Sequence, residues 1–483
     1  MRVKIKSLYG LLAIAVLLTA GLLTGVGGWF LLVLSAWLYL LLYACHNIKD
    51  RSMLFAFLIA FFVFLLGRDF LQQFVNYKTE SFPGDVQAHA YISYFVSLLT
   101  LGLCYHLFTK YGNRRRRRNS DYVNHAGKVA LIKRISLYVY YVSWVFAVVS
   151  EIAAGSFVAA RGVTGYYTDF SEYLAGNTIL YVISKIELIM PVAWNIYLAA
   201  RPDKKQIRRP LILYVCYLVI SLGSGQRSTA MLGILFLFVY FVYREGLNPD
   251  EAWITRKMVI IGVLAVPLLA VFASGYSIWR EGGEISGIRF MDGFINFFYD
   301  QGVTSNVMKR AYMYRDKIPS DQTYILEFLH SGIFARLFGI RVYHGNTVEH
   351  ALHGGSFTHA LGYTVMGDAY LSGRGTGSCY IAELYQDFGY AGIVLGNVLY
   401  ALLIAGIANR KKDERVLTTA VRFIIITQLL WAIRGSYTGF ITQLFAPTTV
   451  ITVVFVFVLA QLLFSKKAGG LAPGARSIMN GKR

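Results

Sequence analysis

Residues 52–69 read SMLFAFLIAFFVFLLGRD. From Met53 to Leu66 no side chain carries a polar group, and the run closes on Gly67, Arg68 and Asp69. In hydrocarbon every backbone amide must be paired within the protein, which such a stretch achieves as a helix. Comparable runs lie near 7–25, 29–45, 91–109, 136–158, 179–200, 210–223, 229–243, 258–275, 389–408, 417–433 and 440–464. Runs of about 17 to 25 residues are long enough to cross a bilayer. The expectation is an all-α polytopic integral membrane protein with about 12 transmembrane helices. The runs at 210–223 and 229–243 are short, as broken or tilted helices are.

Composition points the same way. Of 483 residues, 56% are hydrophobic and 15% charged, and the mean hydropathy is +0.50. Soluble domains carry about 25% charged residues, so a water-soluble fold is excluded. The cysteines at 45, 104, 216 and 379 are scattered, giving neither a disulfide framework nor paired metal-ligand spacing. The first run follows Arg2, Lys4 and Lys6 but has no clear small-residue cleavage site, and a second run follows closely. It reads as a retained helix rather than a signal peptide.

The formal net charge is +21. Its densest run, Arg114 to Arg118, sits in a short connection between two apolar runs. There basic side chains orient a membrane protein and meet anionic headgroups, so the expected partners are membrane lipids and not nucleic acid. Further basic clusters at Lys49 and Arg51, 201–209, 244–257, 410–415 and after Lys466 follow every second run. Both termini are therefore expected on the cytoplasmic side. Residues 1–275 would hold nine spans, 276–388 a large extracytoplasmic loop, 389–464 three more spans, and 465–483 a cytoplasmic tail.

Against that bias, Arg68, Arg227, Arg280 and Arg434 fall at the outer ends of expected spans. Arg227 lies in Gly223-Ser-Gly-Gln-Arg-Ser228. A guanidinium keeps its charge and presents a planar fork matched to phosphate oxygens, so convergent outer arginines suggest a lipid-linked diphosphate. The competing reading is snorkelling to headgroups, or local pairing of Arg68 with Asp69 and Arg280 with Glu281. Lys185 and Glu187, with Glu151, read as a buried structural pair or as groups of a proton or ion pathway.

The loop carries an apolar-periodic run from Ile288 to Tyr314, through Phe290, Phe294, Phe297, Phe298 and Val307, which suggests helices lying on the membrane. Near its end, Gly373-Arg-Gly-Thr-Gly-Ser-Cys-Tyr-Ile-Ala-Glu-Leu-Tyr-Gln-Asp-Phe-Gly-Tyr390 is a glycine-rich turn entering a helical pattern. Such a turn attracts phosphate or simply lets a helix re-enter the bilayer. His344, His350, His353 and His359 cluster upstream around Glu349, but without HExxH or comparable spacing, so no metal is expected. One histidine, or Asp300, Glu383 or Asp387, suffices as a general base toward a sugar hydroxyl.

In this topology, Asn296-Phe-Phe-Tyr-Asp-Gln-Gly-Val303, His353-Gly-Gly-Ser-Phe357 and Gly373 through Gly392 resemble the O-antigen and capsular repeat-unit polymerases of the Wzy type. The resemblance implies a GT-C-like glycosyltransferase bundle in the bacterial cytoplasmic membrane. Such an enzyme joins oligosaccharide units carried on undecaprenyl diphosphate, on the outer face. It implies that Arg227, Arg280 and Arg434, with Arg68 and Arg374, neutralise the diphosphate. His359, Glu383 or Asp300 would then stand near the attacking hydroxyl. No cofactor is implied, because the diphosphate linkage already activates the donor; a chain-length regulator and a flippase of the same pathway are implied partners. An O-antigen ligase would share these features. A lipid-linked oligosaccharide flippase or transporter would instead use Lys185, Glu187 and Glu151 for coupling and show internal pseudo-repeats, which the sequence lacks.

Overall fold

The computed structural model describes residues 26–115, 126–224, 227–260, 290–408 and 414–469, with scattered positions near 20 and between 262 and 275. Most of the described residues are helical, and no strand occurs among them. Seven helices long and apolar enough to cross a membrane come first: α1 Gly28–His46, α2 Ile48–Val75, α3 Gly84–Tyr111, α4 Ala126–Gly162, α5 Thr178–Ala199, α6 Lys204–Ser224 and α7 Arg227–Leu247. Shorter helices follow, chiefly α8 Phe290–Gln301, α9 Ser305–Met313 and α10 Phe357–Met366. Three more spans close the bundle: α11 Tyr380–Ala408, α12 Val416–Arg434 and α13 Pro447–Lys466.

Ten of the twelve expected spans are thus present, and the runs at 7–25 and 258–275 lie largely outside the described residues. The seventh and eighth runs, expected to be short, are full-length helices of 21 residues each. Their polar ends extend them: Asp203 caps α6 through a reciprocal box with Gln206, and Arg244 donates to the Pro202 carbonyl at 2.6 Å from the last turn of α7.

Of the ten, α2 is the most buried, as expected of a helix that is apolar on all sides. Beside it α3 and α11 are joined by a buried network. Ser97 Oγ lies 2.7 Å from Tyr380 Oη and 3.0 Å from Asn397 Oδ1, the interhelical polar contact that holds spans together where no hydrophobic force separates helix from lipid.

One irregularity in α2 prepares the site. Phe62–Leu66 is π-helical before regular turns resume at Gly67, a defect that shifts the helical phase and recurs at functional positions. On this end sits α8, whose Phe298 ring would lie 3.0 Å from a Cβ at Gly67. Gly302, which follows α8, lies directly on the α2 backbone, where an added Cβ would come within 2.6 Å of the Arg68 nitrogen and 3.1 Å of its Cα. Leu247 ends α7 about 30 Å from Arg227, whereas by Phe290 the chain is back at the end of the bundle that carries Arg68.

Gly302→Ala should unseat α8 from α2, at a cost of about 1–3 kcal/mol. Limited proteolysis in detergent would show faster cleavage near residues 290–314, and unchanged kinetics would contradict the direct backbone packing.

Candidate functional site

The last residues of α8, Tyr299, Asp300 and Gln301, gather arginines from three other helices. The Arg68 guanidinium, from α2, lies 3.9 Å from the centre of the Tyr299 ring. Arg227, at the start of α7, donates from Nη1 to Asp300 Oδ2 at 3.2 Å. Arg434, ending α12, donates from Nη1 to Gln301 Oε1 at 3.0 Å and to its backbone carbonyl at 3.4 Å. Three of the four outer arginines thus meet on three consecutive residues; the fourth, Arg280, lies outside the described residues.

Arg68 does not pair with Asp69, contrary to the local pairing considered above. Asp69 Oδ1 instead accepts from Lys309 Nζ, on α9, at 2.6 Å, with both side chains almost wholly buried. The reason is geometric: neighbouring positions on a helix point in different directions, so Asp69 faces α9 while Arg68 faces α8. Among the described residues Arg68 has no carboxylate or hydrogen-bond partner, its Nε is buried and unmatched, and the residue is 8% exposed. A cation held this way against a ring keeps its donors available for an anion. Glu80 clamps the next turn of α9, accepting from Asn306 at 2.8 Å and Arg310 at 2.7 Å.

The other proposed site residues lie elsewhere. Glu383, in the first turn of α11, is 1% exposed; it accepts from Ser378 Oγ at 2.5 Å and from the Tyr437 backbone N–H at 2.7 Å. It therefore ties the turn that follows Arg434 to the start of α11. Asp387 similarly accepts the N–H groups of Tyr324 and Ile325. Arg374 is exposed in the glycine-rich turn, its backbone carbonyl bonded to Asn346 Nδ2 at 2.9 Å, and among the described residues no contact joins it to Arg68, Arg227 or Arg434.

His359, on α10, stacks on the His350 ring at 3.6 Å and meets Tyr370 Oη through Nδ1 at 2.8 Å. Burial, reinforced by the charge of His350, pushes its pKa down to about 4. At neutral pH it is an uncharged member of a loop-holding cluster in which His350 Nδ1 also contacts the Gly345 carbonyl at 2.8 Å.

The expected Lys185–Glu187 pair does not form. Lys185 lies over the Tyr181 ring at 4.8 Å, while Glu187 and Glu151 both approach Tyr217. Two positions apart on a helix, Lys185 and Glu187 face different sides.

Tyr299, Gln301 and Lys309 are the positions of this candidate site that residue-by-residue reading missed. Lys309 was within reach of the rule that singled out the arginines, since it too is a basic residue in the stretch expected to be extracytoplasmic. Tyr299 and Gln301 are uncharged and carry no such signal.

A family model described as O-antigen polysaccharide polymerase Wzy matches residues 7–467 of the chain. No curated protein and no solved structure matches it.

Two measurements follow from the site. Lys309→Ala should cost about 3–5 kcal/mol by stranding Asp69, whereas replacing both partners with apolar residues should recover most of it; equal melting of the single and double variants would contradict the pairing. Because the His359 pKa is depressed, its contribution to stability is complete above about 6.5 and declines as pH falls toward 4. Between pH 7 and 5 the loss should reach about 2 kcal/mol, and His359→Gln should flatten that melting profile.

Proposed function

The chain belongs to the O-antigen polysaccharide polymerase Wzy family, and from that premise we propose that it joins repeat units carried on undecaprenyl diphosphate, with the leaving diphosphate held by Arg68, Arg227 and Arg434. The observation that carries this reading is the convergence of the three on Tyr299, Asp300 and Gln301. In it, the end of the bundle that carries α8 faces outward, as the distribution of basic clusters supports.

The chemistry follows from charge. An acceptor sugar hydroxyl attacks the anomeric carbon of the donor glycan, the bond from that carbon to the diphosphate oxygen breaks, and undecaprenyl diphosphate leaves with the bonding electrons. Donors already aimed at that oxygen stabilise the charge as it develops. Arg68, lacking a carboxylate, receives the anion at no cost of breaking an existing pair. Arg227 exchanges Asp300 for phosphate, and the released Asp300 carboxylate takes the hydroxyl proton. Its 42% exposed side chain suits that role, whereas Glu383 has both oxygens engaged and is nearly fully buried. Glu383 acts here as a positioning residue for the turn after Arg434, and His359 as one for the loop that flanks it.

Purified protein mixed with undecaprenyl-diphosphate oligosaccharide, without nucleotide, should yield a ladder spaced by one repeat unit. Arg68→Ala, Arg227→Ala and Arg434→Ala should each slow elongation by about 10²–10³-fold, with Arg→Lys restoring part of it. Undiminished ladders from all three alanine variants would remove the diphosphate site.

A further inference from the structure

On α3, near the same end of the bundle, His89 is 6% exposed, yet neither ring nitrogen has a hydrogen-bond partner. One of them must carry a proton, so an unmet donor and an unmet acceptor sit together in a buried place. One turn along α3, the fully buried Ser93 hydroxyl has no partner in good hydrogen-bond geometry and faces only the Tyr390 hydroxyl.

Tyrosines from two other elements surround the imidazole. Tyr312 of α9 lies flat against it at 3.8 Å and 12°, Tyr385 of α11 meets it edge-on at 4.3 Å, and Tyr390 lies 5.8 Å away. The Arg315 guanidinium stands 5.0 Å from the Tyr312 ring. Between Tyr385 and Tyr390 the helix breaks: Phe388 leaves helical geometry and Gly389 takes φ +60°, which a side chain would disfavour. The break leaves Tyr390 38% exposed at the rim of the cluster, with Phe388, two positions before it, 55% exposed.

We infer that this tyrosine rim around His89 is a subsite for a pyranose ring of the substrate's oligosaccharide. A pyranose offers an apolar C–H face and a girdle of hydroxyls. Tyrosine matches both, with a flat apolar body and a polar tip, and the hydroxyl girdle meets the unmatched polarity of His89 and Ser93. A polyprenyl chain would leave those groups unmet, and a diphosphate would find only Arg315.

The location fits. Tyr312 lies one turn beyond Lys309 on α9, about 4.5 Å along the helix axis, and Lys309 holds Asp69 beside Arg68. The subsite therefore adjoins the proposed diphosphate site, and its assignment to this substrate rests on the polymerase reading.

The test uses a ligand without diphosphate or lipid: the free oligosaccharide released by mild acid from lipid-linked repeat units that accumulate in cells lacking the protein. It is titrated into full-length protein in detergent and followed by saturation-transfer NMR. Wild type should bind in the millimolar range or tighter, Tyr390→Ala should bind about tenfold more weakly, and Tyr390→Phe should remain close to wild type. Phe388→Ala, at an exposed position, provides a second variant that leaves the buried cluster intact and should weaken binding in the same direction. Equal binding by wild type and both alanine variants, or no binding by wild type, would overturn the subsite and leave the tyrosines as an interfacial aromatic belt. The free oligosaccharide has no diphosphate, so the titration reads sugar binding whether or not the three arginines hold a leaving group. Loss of the titration with arginine-dependent elongation intact would remove the subsite alone.

Discussion

Lys309 and Asp69 meet at 2.6 Å with almost no exposure, and the arrangement of the arginine-bearing end depends on that contact. Burying two charges is favourable only when each finds the other in good geometry, and losing one partner is far worse than never having had either. The pair therefore fixes where α9 lies on α2. Gly302 then sets the α8–α9 turn directly on the backbone of Arg68, and α8 is left with its C-terminal residues facing the ends of α2, α7 and α12.

From that seating the charge pattern follows. Asp69 is committed to Lys309, so Arg68 is left facing an aromatic ring, while Arg227 and Arg434 hold a carboxylate and an amide on the two following residues. Three cations from helices distant in sequence are thus held by the last turn of α8 and partly desolvated, where a hydrogen bond to an anion would be stronger than in water. Glu383 stabilises the arrangement from behind by holding the backbone just after Arg434.

The spans were legible because hydrocarbon imposes one rule on the entire length of a segment, and a run such as Met53–Leu66 admits no second interpretation. The arginines were legible for a related reason: each stands at the end of a span opposite the basic clusters that follow every second run. What sequence could not supply was pairing. Asp69 adjoins Arg68 in sequence yet bonds Lys309, 240 positions away, and Lys185 and Glu187, two positions apart, do not meet. Helical phase decides both cases, and the π-helical turn at Phe62–Leu66, which resets that phase, has no signature in an all-apolar run. Likewise His359 and Glu383 attracted notice as titratable groups, whereas burial and existing bonds suit them to holding structure.

In the function proposed above, Arg68, Arg227 and Arg434 form one receptor for a diphosphate. The most direct measurement is a cryo-electron-microscopy map of the full-length protein in nanodiscs with undecaprenyl diphosphate. Density for the two phosphates is expected within hydrogen-bond reach of all three guanidinium groups, with Asp300 drawn away from Arg227. Phosphate density bound instead at the Arg374 turn, with the Arg227–Asp300 pair still closed, would contradict it.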